Sequence, residues 1–165
     1  MATDQQIRQQ LAKLLASEEA HAGFDAAVAN VPEQARGTQP SGLHSPWELL
    51  EHLRRTQQDI LDFCRNPDYR ELRWPDDYWP PTPAPPSPGA WNESIEQFGV
   101  DLTALQELAA DPTIDLGAAI PHGSGQTYLR ELLLVADHTS YHVGQLITVR
   151  QLLGVWKQDG TPSAG

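Results

Sequence analysis

Residues 45–53 read Ser45-Pro46-Trp47-Glu48-Leu49-Leu50-Glu51-His52-Leu53. Serine, then proline, then glutamate three residues after the serine, is the grammar of a helix start. The hydroxyl caps an amide of the first turn, the glutamate reaches back to the serine amide, and proline fits the first position because its missing N–H had no partner there. Leu49, Leu53, Ile60 and Phe63 carry an apolar stripe at helical spacing to about Arg65, where Asn66-Pro67 ends it. His52 borders that stripe.

Three further helical segments lie outward from this one. The first spans about Thr3 to Ala29, with Ile7, Leu11, Leu14, Leu15, Ala22 and Val28 on one side. Another starts with Ser87 as cap and Pro88 at the first position, and runs to Ala110 through Trp91, Ile95, Phe98, Leu102, Leu105 and Leu108. The last follows Pro121-His122-Gly123-Ser124-Gly125 and extends from about Gln126 to Leu153, with Gly154 as its stop. No segment alternates as a strand does and no repeat is present. The expected fold is all-α: a four-helix bundle forming one domain over residues 1–165, with a long crossover between its second and third helices.

That crossover, residues 67–88, contains eight prolines, which excludes both helix interior and central strand. It also carries Trp74, Tyr78 and Trp79, for which a solvated linker has little use. An ordered loop lying over the bundle is expected, docked by those aromatics against the helices, a metal pocket or a partner subunit.

Composition excludes several partners. The chain has 165 residues, with 22 acidic against 11 basic and no basic cluster beyond Arg54-Arg55. Nucleic acid and anionic membranes are repelled by such a surface. The lone cysteine, Cys64, forms no internal disulfide and has no histidine partner in sequence reach, so a structural thiol is expected. The N-terminus is polar and no run is long enough to span a membrane, so the expected location is the cytoplasm.

The histidines carry the chemistry. His138 and His142 stand at i and i+4 on the last helix, about 6 Å apart at Cβ and able to reach one ion. Their face also carries Glu131, Val135, Gln145 and Val149, a mixed stripe entering an interior. His52 is read either as a buried histidine bonded to a carboxylate or as a third ligand from a neighbouring helix. In the second case three imidazoles leave a position open, and they suit zinc, nickel, iron or copper. His21 would lie at the depth of His52 if the first two helices are antiparallel, with Glu18 one turn before it. Both are candidates for a fourth ligand or for lining the pocket, as are Tyr141 and Gln145. His44 and His122 precede their helices and are not expected to be ligands. Asp137, Glu131, Glu18 and Glu48 are candidates to orient the imidazoles.

Other motifs are absent. There is one Glu-x-x-His, at Glu18 and His21, where a di-iron carboxylate bundle needs two. Thr139 stands where a zincin has glutamate, and no P-loop, dinucleotide fingerprint or nucleophile elbow occurs.

Ser45-Pro46-Trp47-Glu48 leading to His52, followed by Asp137-His138-x-x-Tyr141-His142-x-Gly144-Gln145, resembles the DinB superfamily. The resemblance implies a four-helix bundle with a long crossover, one divalent ion on His52, His138 and His142, and a homodimer. Members with known activities include transferases and isomerases that use low-molecular-weight thiols such as bacillithiol or mycothiol. The expectation is therefore a metal-binding protein, with zinc or nickel ahead of iron or copper. It would act as a metal-dependent hydrolase or thiol transferase on a small molecule. The alternative is a non-catalytic interaction module whose metal is structural. The proline-rich insertion departs from the simplest family pattern and leaves the substrate open.

Overall fold

The computed structural model describes residues 3–16 and 20–156. It is helical, with no strand among the described residues and a single isolated bridge between Ala119 and Thr127. Among the described residues six helices follow one another: α1 Asp4–Ala16, α2 Phe24–Val28, α3 Glu33–Arg36, α4 Pro46–Arg65, α5 Ala90–Ala110 and α6 Tyr128–Leu152. Helix α4 packs between α5 and α6, and α1 lies against α5 and α6. No described helix is long and apolar enough to cross a membrane.

The start of α4 forms as its residues dictate. The Ser45 hydroxyl accepts from the Glu48 amide and the Glu48 carboxylate accepts from the Ser45 amide, a complete capping box with Pro46 in the first turn. Leu49, Leu50 and Leu53 are fully enclosed and meet Phe98, Val143 and Leu146 from α5 and α6. Each such side chain contributes roughly 1.5–3 kcal/mol of apolar burial.

The N-terminal region differs from expectation. The helix predicted to reach Ala29 does not run that far: α1 covers Asp4–Ala16, residues 20–23 are not helical, and Gly23, extended, starts the separate short helix α2. That turn drives Phe24 into the core, where it stacks on Phe98 with ring centroids 3.7 Å apart. The buried side of α1 also shifts. Leu11 and Leu15 are enclosed, but Ile7 and Leu14 remain 42% and 47% exposed. Arg8 turns inward and donates to the carbonyls of Ala109, Asp111 and Ile114, closing the far end of α5. A charged residue thus takes a place that the apolar pattern alone assigns to leucine.

Helix α5 begins at Ala90, later than its Ser87-Pro88 start predicted, since Ser87 accepts the Ala90 amide within a turn instead of capping. Helix α6 is capped by the Thr127 hydroxyl, and Gly154 follows its end with φ +70°. That left-handed conformation suits glycine.

Candidate metal centre

His52 stands near the start of α4, while His138 and His142 stand one turn apart on the middle of α6. Packing α4 on α6 brings the three imidazoles together, so that one potential ligand atom from each lies within 4.8 Å of the others. Ring centroids are 4.9 Å apart for His52–His138, 4.5 Å for His52–His142 and 4.4 Å for His138–His142. The Nε2 atoms of His52 and His138 approach to 3.1 Å. Nitrogens bound to one tetrahedral zinc at 2.0–2.1 Å stand roughly 3.3 Å apart, so this pair is already near the spacing an ion requires.

The proton positions are fixed from outside the cluster. His52 Nδ1 lies 3.2 Å from the Tyr78 carbonyl, which can only accept; Nδ1 therefore carries the hydrogen and Nε2 faces inward with its lone pair. His142 Nδ1 makes a 2.7 Å bond to Gln145 Oε1, and Gln145 in turn donates to the Tyr141 hydroxyl at 3.1 Å. These are the orienting partners. The carboxylates predicted for that task are engaged elsewhere: Glu131 with Arg130, and Glu48 in the α4 cap, while Asp137 is exposed.

Burial disfavours charge on all three rings. It lowers the pKa of His52 to about 4 and of His138 to about 3, with neighbouring histidines adding to the effect, and it lowers that of His142 as well. Neutral imidazoles are the form that binds a metal. A consequence follows for the apo protein. The unfolded chain takes up protons below the ordinary histidine value of 6.5, whereas the folded site refuses them until about pH 4 and 3. Stability is therefore full above pH 6.5 and declines as pH falls through this window, by up to about 1.4 kcal/mol per pH unit for each proton. The urea midpoint of apo protein should drop between pH 7 and pH 5; an unchanged midpoint contradicts the buried, neutral cluster.

The remaining candidates are placed as follows. Glu18 lies outside the described residues. His21 is exposed beside the Ala22 carbonyl, and the continuous helix that would have set it level with His52 does not form. Tyr141 is 62% exposed and sets its edge against His142 at 4.9 Å. No fourth His, Cys, Asp or Glu among the described residues joins the group. Cys64 is buried in the core between α4 and α6, its thiol pushed up to about 12 by burial and by Glu131, so it stays protonated.

Residues 66–89 form a strap without helix that crosses the site. Trp79 lies flat on His52, with centroids 3.9 Å apart and planes 4° apart, and His44 stacks on Trp79 at 3.9 Å. His44 thus supports the centre without reaching it, a role that its distance along the chain concealed. Of the three aromatics expected to dock the strap, Trp74 contributes least: it is 70% exposed and meets His52 only edge-on at 6.4 Å, while Trp79 and Tyr78 make the closer contacts. Further along α4 and α6 the strap bounds a cavity of about 600 Å³, lined in part by Tyr78, Asp59, Phe63 and Leu134 and by none of the three histidines. Leu134 is one helical turn from His138, and the volume suits a small molecule.

A helical protein with a largely buried group of three neutral histidines is of the class that can hold a divalent metal ion. The profile of the DinB superfamily matches residues 16–146, and the chain belongs to that superfamily. Comparisons with curated proteins and with solved structures gave no match.

Proposed function

We propose that His52, His138 and His142 hold one divalent ion, zinc or nickel, in a four-helix bundle built from α1, α4, α5 and α6, and that the chain is a metal-dependent enzyme of the hydrolase or thiol-transferase type. The observation that carries this reading is the convergence of three imidazoles, two buried and that of His138 half-buried, whose ligand atoms lie within 4.8 Å. Bond partners on the outer nitrogens of His52 and His142 support it, since they leave the inner nitrogens turned toward the centre of the group. A bound ion supplies Lewis acidity that draws the pKa of a thiol or water toward neutrality. The chain's own residues orient the ligands and exclude water from one side through Trp79, while Tyr141 stands exposed at the edge. A small-molecule substrate belongs to this reading, supported by the size of the cavity bounded by the strap, which Tyr78 and Leu134 help to line. Homodimerisation in the cytoplasm and a low-molecular-weight thiol as co-substrate belong to the same proposal, on the strength of the family resemblance.

A catalytic site keeps a coordination position free, whereas a structural site is closed by a fourth protein ligand. Cobalt-substituted protein should therefore change its visible spectrum when titrated with azide or a small thiol. Chelation should leave far-UV helicity nearly intact, because the apolar core carries the fold. A spectrum indifferent to both ligands, together with collapse on chelation, supports the non-catalytic module instead.

A further inference from the structure

Asp59 lies two turns after His52 on α4, roughly 10 Å along the axis. Its carboxylate accepts two phenol hydroxyls from the strap: Tyr69 at 2.9 Å on one oxygen and Tyr78 at 2.7 Å on the other. Tyr78 is also the residue whose carbonyl holds His52 Nδ1. One strap residue therefore joins Asp59, through its side chain, to His52, through its backbone. Arg55, one turn before Asp59, adds bonds to the carbonyls of Asp77 and Trp79 at 3.2 and 3.3 Å. The three α4 residues His52, Arg55 and Asp59 hold adjacent strap residues 77–79, and their spacing of three and four sets them along one edge of the helix.

We propose that Asp59 is a positioning residue of the metal centre, fixing through Tyr78 the carbonyl that orients His52, so that docking of the strap and binding of the ion are coupled. The inference rests on the three-histidine metal reading. Coupling between two events is reciprocal: whatever the docked strap adds to ion affinity, the ion returns to strap docking. Outer partners of a metal-bound histidine typically contribute 10–100-fold to affinity. Tyr69 provides the internal comparison, since it grips the same carboxylate but makes no hydrogen bond to His52.

The test compares zinc affinity in wild type, Asp59→Ala, Tyr78→Phe and Tyr69→Phe. Asp59→Ala should lose about 10-fold or more and Tyr78→Phe several-fold, while Tyr69→Phe stays close to wild type. Arg70 and Arg73 are exposed in the strap and offer tryptic sites. Zinc should slow cleavage there in wild type and do so much less in Tyr78→Phe. Folded Asp59→Ala and Tyr78→Phe proteins with wild-type affinity overturn the proposal, as does a Tyr69→Phe loss equal to that of Tyr78→Phe. Failure of wild type to bind zinc at all is failure of the metal reading. The coupling then remains measurable in apo protein by NMR: the His52 Nδ1–H signal should exchange faster with solvent in Tyr78→Phe than in wild type or Tyr69→Phe, and equal exchange in all three overturns it.

Discussion

His138→Ala is expected to lower zinc affinity by more than about 100-fold, with His52→Ala and His142→Ala close behind. The outer partners of a ligand already contribute 10–100-fold, and loss of the ligand itself should cost more. His138 heads the order because the 3.1 Å nitrogen approach to His52 and the shortest ring spacing of the group, 4.4 Å to His142, both involve it. His21→Ala and His122→Ala should leave affinity unchanged, the first ring being at the surface and the second bonded to the Phe63 carbonyl. His44→Ala removes a stack from Trp79, not a ligand, and should have a small effect. Isothermal titration of each variant separates these cases. Stoichiometric, wild-type binding by His52→Ala contradicts the inter-helix site.

The second large effect belongs to Glu51, the neighbour of His52. Burial alone would raise its carboxyl, but bonds from Arg54, Ser94 and Arg55, with the Arg54 charge, outweigh that and hold it at about 2. The bonds are short: Ser94 Oγ at 2.6 Å, Arg54 Nε at 2.7 Å and Arg55 Nε at 3.0 Å. Glu51→Ala should destabilise the protein by about 3 kcal/mol, at the lower end for breaking a buried pair because both arginines can still reach water. The same carboxylate holds Arg55, which bonds the strap, so ion affinity should fall as well. Equilibrium unfolding at pH 7 measures the first effect. A loss below about 1 kcal/mol would place this cluster among ordinary surface pairs.

What the sequence revealed follows the range of its signals. The α4 start, the i, i+4 pair His138 and His142, and the His52 register are local patterns, and each corresponds to the structure. The N-terminal region misled because Leu14 and Ile7 fit a helical period yet face outward, while Arg8 finds backbone carbonyls distant in sequence. The aromatics at 74–79 were evident as residues that must dock, but which one touches the site depends on the path of the strap. Trp79 stacks flat on His52 whereas Trp74, mostly exposed, only meets it edge-on, a distinction that no periodicity encodes. Tyr78 acts on His52 through its carbonyl, an atom every residue has, and so it left no mark in the sequence.

X-ray absorption at the zinc edge, on protein loaded with zinc and freed of excess, addresses the ion and its ligands together. One zinc per chain with three imidazole nitrogens at about 2.0–2.1 Å, lost in His138→Ala, is the predicted result. Substoichiometric zinc, or a shell containing sulfur or fewer than three imidazoles, contradicts the three-histidine centre.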